Sequence, residues 1–286
     1  MSFGFRHPGV RAAAAALMLL VPAGLVSACS SSDDSAATTS TAADRATSTT
    51  TGSADKTLTI LVSNDDGVGA KGIDVLVTAL KAMPNTQVIV SAPATNQSGS
   101  GGKTTPGELT ATPTTMLSGV EATAVTGFPA DSVNWALAGG VKEKPQLVAS
   151  GINAGQNVGS FINLSGTVGA ARAAATKGIP GLAVSAGIDD DAAFAAAAKL
   201  AVEWVEQHRS ALLDGSMDSV PASVTNINVP VCSAGTIRGL LEVPAATEAP
   251  ASLAPVDCSA AEPATRPADD NAAMAAGWAS LSDIGV

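Results

Sequence analysis

Thr57–Ser63 reads Thr-Leu-Thr-Ile-Leu-Val-Ser and runs directly into Asn64-Asp65-Asp66-Gly67. Its apolar and β-branched residues fill successive positions instead of alternate ones, as in a strand buried on both faces. Such strands belong to parallel sheets covered by helices, and the downstream sequence continues the theme. Gly72–Met83 sets Ile73, Leu76, Val77 and Leu80 at helical spacing. Gln87–Ser91 reads as a second strand. Leu109–Val125 breaks the rhythm as a hairpin or an irregular excursion. Pro129–Leu137 starts with proline at a first-turn position and reads as helix. Gln146–Ser150 is a strand, Thr167–Lys177 an Ala-rich helix and Gly181–Ser185 a strand. Ala192–Leu213 is a long helix that turns Leu200, Trp204 and Val205 to the core, and Val224–Val229 is expected to close the sheet. Strand and helix in alternation imply an α/β fold, a largely parallel sheet flanked by helices with right-handed crossovers. Beyond Pro230 the sequence turns Ala- and Pro-rich, so residues 231–286 are expected to form a C-terminal extension and not a second core.

Upstream of the first strand the chain changes character. Arg6 and Arg11 precede the apolar run Ala12–Leu25, and Val26-Ser27-Ala28-Cys29 follows. Charge, apolar stretch and small residues in that order describe a secretory signal, here over residues 1–29. The apolar part is short for a bilayer span. Its small-small-Cys ending resembles a bacterial lipobox, with Cys29 as the lipid-bearing residue. The expectation is an exported protein, lipid-anchored to the outside of the bacterial cell membrane and touching the membrane by that anchor only. Residues 30–56 are nearly all Ser, Thr, Ala, Asp and Gly, with nothing large and apolar to bury, and read as a disordered linker. Cys232 and Cys258 remain, in an oxidising setting, either as a disulfide around the intervening residues or as two buried thiols.

Composition narrows the chemistry. The 286 residues are 46% hydrophobic, which allows one large domain or two small ones with ample core. A net charge of −10, deeper by two without Arg6 and Arg11, excludes a broad basic surface for polymeric nucleic acid. His7 and His208 are the 2 histidines of the chain, and His7 falls in the leader. Multi-histidine zinc sites, phosphohistidine chemistry and Ser-His-Asp triads are thereby nearly excluded. His208 reads as a partner for a helix C-terminus and Trp204 as core.

Three polar clusters fall where strands end, the edge at which open α/β sheets bind ligands. The first is Asn64-Asp65-Asp66-Gly67. Adjacent carboxylates repel unless a cation or protons neutralise them, and oxygen donors without His or Cys favour Mg²⁺ or Mn²⁺. An ordinary helix cap with a solvated turn is the alternative. The second cluster is Asn96-Gln97-Ser98-Gly99-Ser100-Gly101-Gly102. Its glycines admit an anion to backbone N–H groups, and Asn and Ser offer neutral oxygens to a metal. Gly102-Lys103-Thr104 looks like the end of a P-loop, but Gln97 stands where that motif needs glycine. The third is Ser150-Gly151-Ile152-Asn153-Ala154-Gly155 with Ser165-Gly166-Thr167-Val168-Gly169. Asn153 shares the edge of Asp65, and Ser165-Gly166-Thr167 opens a helix whose free N–H groups suit a phosphate or a simple N-cap.

Taken in order, Ile60–Gly67, Ala92-Pro93 with Asn96-x-Ser98-Gly99, Pro129-Ala130-Asp131, Ser150–Gly155 and Ser165–Ala171 resemble the motifs of the SurE (survival protein E) nucleotidase family. The resemblance covers about residues 57–230, and Ala272–Leu281 is similar to that family's C-terminal segment. It implies a Rossmann-like sheet and a divalent-metal-dependent phosphomonoesterase acting on nucleoside 5′- or 3′-monophosphates. Asp65 and Asp66 would be catalytic. Asp65, Asp66, Ser98 and Asn153 would ligate Mg²⁺ or Mn²⁺, while Asn96, Ser165, Gly166 and Thr167 would border the substrate phosphate. It further implies a homodimer or homotetramer, with Trp278 either a subunit contact or packed within its own chain. The chain departs from the family's usual residues at Ala94-Thr95, Gly127-Phe128-Pro129 and Ser160–Leu164, and with no tyrosine any base stacking falls to Phe or Trp. A broad acid phosphatase and a surface module that binds nucleotides without turnover are the rival readings.

Overall fold

The computed structural model describes residues 56–188, 190–219 and 223–286, all within the unit Thr49–Val286. The expected signal segment, Cys29 and the linker up to residue 55 lie outside the described residues. In chain order the elements are β1 (Leu58–Ser63), α1 (Lys71–Lys81), β2 (Thr86–Pro93), β3 (Ala111–Thr115), β4 (Glu121–Val125), α2 (Pro129–Trp135), β5 (Leu147–Ala154), α3 (Gly166–Ala175), β6 (Gly181–Ala186), α4 (Asp191–Asp214), β7 (Ser223–Val229), β8 (Cys232–Ala234), β9 (Leu240–Glu242), β10 (Val256–Asp257), α5 (Asp270–Ala275) and β11 (Ala279–Gly285).

Nine strands form one sheet in the order β3-β4-β2-β1-β5-β6-β7-β11-β9. From β4 to β7 every neighbour pairs in parallel, as the doubly buried β1 requires. Leu58, Ile60, Leu61 and Val62 are all fully buried, the two faces of one strand serving two cores. On one face Ile60 and Val62 pack with α1 (Ile73, Leu76, Leu80) and α4 (Phe194, Leu200, Trp204, Val205). On the other, Leu61 and Val148 pack with Val133 of α2 and Ala170 and Ala174 of α3. Small residues let these layers close up: a Cβ on Gly72 of α1 would stand 1.9 Å from the Ile152 carbonyl oxygen of β5. Among the described residues, no helix is long and apolar enough to cross a membrane.

The irregular stretch 109–125 is a hairpin, β3 pairing antiparallel with β4. The expectation that Val224–Val229 closes the sheet is corrected: β11 pairs antiparallel with β7, and β9 pairs parallel with β11. The reason is legible afterwards. Serines 280 and 282 of β11 are buried beside Ile284, and the Ser282 hydroxyl donates to the Val243 carbonyl at 2.8 Å, so the inward face shows little apolar alternation. In the remainder of the extension β8 and β10 pair as a second, two-stranded sheet, and the disulfide Cys232–Cys258 ties β8 to the residue after β10. Cys258 packs against Gly277, where φ is +80° and a Cβ would lie 3.2 Å from its Sγ. Trp278 lies half-buried over Gly239 of its own chain. His208 is bonded through Nδ1 to the Trp204 carbonyl at 2.7 Å and stacks on the Trp204 ring. It sits within α4, whose C-cap is Gly215, and not in the last turn as its position suggested.

The disulfide closes a loop with a sequence separation of 26, for which chain entropy gives about 3 kcal/mol. Urea unfolding of Cys258→Ser, or of the reduced protein, is expected to show a stability lower by about that amount.

Candidate active site

Strand order reverses between β1 and β5: the chain leaves β1 toward β2 on one side and returns to β5 on the other. A crevice opens at such a switch point beyond the carboxyl ends of the two strands. Asp65 and Asp66 follow β1 there, and Asn153 lies in the last turn of β5 beside Ser185 of β6. A register shift between Ser150 and Asn153 sets the end of β5 off from the regular ladder.

Neither aspartate caps a helix. α1 begins at Lys71 behind Ala70, so the loop carboxylates serve one another's surroundings. Asp65 is 2% exposed and Asp66 half-buried. The Thr167 hydroxyl, in the first turn of α3, donates to Asp65 Oδ1. Asp66 Oδ2 accepts the Ala154 amide at 2.9 Å and Oδ1 accepts the Asn96 side-chain amide at 3.2 Å. The second loop docks on the first through the Gln97 amide, which donates to the Asp65 carbonyl at 2.7 Å. Asn96 Oδ1 in turn accepts the Ser98 amide at 2.9 Å, which brings Ser98 to the same rim. Asn153 donates Nδ2 to the Gly155 carbonyl at 2.6 Å, leaving its carbonyl oxygen as the end available to a cation.

The third cluster meets the first by close contact. A Cβ on Gly166 would stand 2.7 Å from Asp65 Cβ, 2.7 Å from Ser100 Oγ and 3.0 Å from Asp65 Oδ2, so only glycine admits α3 this close to the strand end. On Gly169, one turn on, a Cβ would lie 2.0 Å from the Gly101 carbonyl oxygen. Ser165 is the N-cap of α3, its hydroxyl accepting the Val168 amide at 3.1 Å. The two readings of this cluster divide between two residues: Ser165 caps, and Thr167 is spent on Asp65. The structure thus brings Asp65, Asp66, Asn96, Asn153, Gly166 and Thr167 to one rim, with Ser98 and Ser165 at its borders. Lys103 is exposed in the loop beyond, without P-loop geometry.

Several residues that hold this rim carry no sequence signal. Asn157 donates to Ser185 Oγ at 2.9 Å and accepts, at its carbonyl, the amides of Asn226 (2.9 Å) and Asn228 (3.2 Å) of β7. These buried asparagines read in sequence as ordinary polar residues of a strand. Asp131, by contrast, belongs to the Pro129-Ala130-Asp131 motif and proves to be a pin: it accepts the Phe128 amide at 2.8 Å and the Thr105 hydroxyl at 2.7 Å, fixing the chain after the second loop. Ser100 Oγ is buried without a partner beside Gly166. A cavity of about 670 Å³ lies at the opposite edge of the sheet, near Trp204, His208, Thr225 and Asp283, and contains none of these residues.

The electrostatics follow from the crowding. Burial raises the Asp65 carboxyl above its ordinary range, opposed by the Thr167 hydrogen bond and assisted by the charge of Asp66. Burial raises Asp66 too, opposed by the Ala154 amide and Asn96. Among the described residues no Lys or Arg pairs with either aspartate. Around the two carboxylates the remaining side-chain oxygens, of Asn96, Asn153 and Thr167, are amide and hydroxyl. This donor set fits a hard divalent cation.

An open, largely parallel sheet with paired carboxylates and a helix N-terminus at its switch point defines an α/β protein of the Rossmann-like class. The profile of the family described as Survival protein SurE matches residues 60–249, and the chain belongs to that family. It is 43% identical over 179 residues to the 5′-nucleotidase SurE of Synechococcus sp. (strain CC9605), covering 62% of this chain and 64% of that one. It is 37% identical over 175 residues to the 5′-nucleotidase SurE of Methanopyrus kandleri, covering 60% and 66%. The match therefore spans slightly less than two thirds of these curated relatives' length. Among solved structures, the SurE protein from Aquifex aeolicus superposes with a TM-score of 0.61 at 26% identity, over 79% of this chain and 93% of that one.

A carboxyl whose pKa is raised by folding costs stability once pH passes its unfolded value, near 4, and the cost grows until pH reaches the folded value. In metal-free protein, Asp65→Asn is therefore expected to raise Tm at pH 7, by about 2–4 °C for each kcal/mol relieved, and to leave it unchanged below about pH 3.5. Differential scanning calorimetry at the two pH values measures this. Mn²⁺ should stabilise the wild type at pH 7 and the variant much less.

Proposed function

We propose that this chain is a metal-dependent phosphomonoesterase that hydrolyses nucleoside 5′- or 3′-monophosphates to nucleoside and phosphate. The observation that carries the reading is the hydrogen bond from Thr167 to Asp65, which ties the phosphate-binding helix start to the carboxylate pair. The names of the relatives from Synechococcus and Methanopyrus, each a 5′-nucleotidase, support it. In this reading Asp65, Asp66, Ser98 and Asn153 hold Mg²⁺ or Mn²⁺. The cation, when bound, neutralises phosphate charge and lowers the pKa of water.

The protein's own groups do the rest. The start of α3, at Gly166 and Thr167, receives the phosphate with the helix dipole behind it. Asn96, braced between Asp66 and the Ser98 amide, borders the same phosphate. Water attacks phosphorus directly, giving its proton to Asp65 or Asp66. The bond between phosphorus and the nucleoside oxygen breaks, and the alkoxide leaves with a proton from solvent. Trapping a phosphoryl-aspartate at either position would overturn direct attack.

Phosphate release from a panel of nucleoside monophosphates and aryl phosphates tests the activity, with Mg²⁺, Mn²⁺ or EDTA. Turnover is expected with metal, to vanish in EDTA, and to fall at least about 100-fold in Asp65→Asn and in Gly166→Ala, whose new Cβ meets Asp65. Faster aryl phosphate hydrolysis would favour a broad phosphatase. Binding without release in folded, metal-loaded protein would favour a nucleotide-binding module.

The same reading includes export and lipid anchoring through Cys29, supported by the order Arg6, Arg11, Ala12–Leu25 and Val26–Cys29, with the linker giving reach. Radiolabelled palmitate is expected to label the wild type in the membrane fraction and not Cys29→Ser. Cytosolic, unlabelled wild type would overturn it. Assembly into homodimers or homotetramers belongs to the proposal as well, and light scattering measures it.

A further inference from the structure

Between Asn153 on the metal side and Ser165 on the phosphate side, the chain passes through a single turn of 3-10 helix, Gly159–Asn163. The C-terminal extension holds the start of that turn. Asp270, the first residue of α5, is fully buried. Its Oδ2 accepts the Gly159 amide at 3.0 Å, and its Oδ1 accepts the amides of Ala246 and Asn271, each at 2.8 Å. Capping does not account for this arrangement. Asp269 already caps α5 by accepting the Ala272 amide at 2.8 Å, so the bonds from Gly159 and Ala246 serve segments outside the helix.

Around the carboxylate, residues 244–248 and 270–271 form a strap across the turn. The Glu248 carbonyl accepts the Ser160 amide at 3.2 Å and the Asn271 side-chain amide at 3.0 Å. Gly159, with φ at +54°, lies so close that a Cβ would stand 2.0 Å from that carbonyl oxygen. The far end of the turn is fixed as well. Arg172 of α3 donates to Asn163 Oδ1 at 3.3 Å, and the Leu164 carbonyl accepts the Gly101 amide at 3.0 Å. A short 3-10 turn held at both ends has no slack, so a shift of Gly159 is carried to Ser165 and not absorbed.

We propose that Asp270 is a positioning residue for the phosphate seat: its carboxylate fixes the Gly159 amide and, through the turn, the placement of Ser165, Gly166 and Thr167 against the end of β1. The proposal deepens the reading of Ser165–Thr167 as the phosphate seat and rests on it. Asp270 touches neither substrate nor metal, and acts by denying the turn a second position.

The test is Asp270→Asn in the full chain, a change that keeps side-chain size and sets an NH₂ group against amides the carboxylate accepted. Inorganic phosphate is titrated calorimetrically into Mn²⁺-loaded protein. The Kd is expected to rise about 10- to 100-fold, the scale of a misplacement of about 1 Å, at unchanged stoichiometry. KM for a nucleoside monophosphate should rise in step while kcat changes less than about threefold. Affinity for Mn²⁺ alone should stay within about twofold, because its ligands lie before the turn. A merely structural Asp270 would lower Tm and stoichiometry but leave the phosphate Kd of the folded fraction unchanged, and that result overturns the proposal. If Asp270→Asn does not fold, Gly159→Ala takes its place: its Cβ, 2.0 Å from the Glu248 carbonyl oxygen, displaces the Gly159 amide from Asp270, and a phosphate Kd unmoved from wild type there overturns the proposal equally. Wild type that binds phosphate but turns over no monophosphate overturns the nucleotidase reading, and the titration still decides Asp270.

Discussion

Asp65 and Asp66 stand side by side at the end of a doubly buried strand, and among the described residues no basic side chain balances them. Much of the surrounding construction answers to that charge. Four neutral donors are aimed at the pair or its backbone: the Thr167 hydroxyl, the Ala154 amide, the Asn96 side chain and the Gln97 amide. They come from a loop, a strand end and a helix start, so tolerating the two charges also gathers these segments into one rim. The Asn153 side chain spends its Nδ2 on the Gly155 carbonyl and turns its Oδ1 end to no donor among the described residues. Stability is given up at this point of the fold, as is common where function needs unsatisfied charge.

Close approach is the second constraint. α3 reaches Asp65 because residue 166 has no side chain, and it clears the second loop because residue 169 has none. α1 lies on β5 through Gly72 in the same manner. Each contact forbids a single Cβ, and together they set helix starts against strand ends to within a few tenths of an ångström. The extension works on the same rim from outside the parallel sheet, through Asp270 and the Glu248 carbonyl. It supplies two sheet strands and a strap rather than a core of its own.

Much of the architecture was legible in the chain's pattern. Successive apolar positions in β1, the helical spacing of α1 and α4, and the Ala-rich α3 gave their elements to within a few residues. The carboxylate pair, the glycine-rich loop and the Ser-Gly-Thr helix start were each visible as polar clusters at strand ends. The supporting residues were not. Asn157, Asn226 and Asn228 look like any polar residues of a loop or strand, and Asp270 looks like one more acid at a helix start. Their importance lies in partners 69 to 111 residues away, and no local pattern encodes such a separation. β11 escaped for a related reason, since a buried face with serines at 280 and 282 and one apolar residue, Ile284, has no clear hydrophobic period to read.

By itself the sequence determined the fold class, the edge of the sheet where chemistry gathers, the exclusion of histidine-based mechanisms and the hard-oxygen character of the donor set. These follow from composition and from periodicities of a few residues, which the backbone geometry of strand and helix imposes locally. Tertiary structure alone decided that Thr167 serves Asp65 while Ser165 caps, that two late strands extend the sheet, and that a buried carboxylate in the extension grips the turn before α3. Those outcomes depend on which distant donor reaches a buried acceptor first. That competition is settled only when the layers have packed and the available space, down to one missing Cβ at Gly166, is fixed.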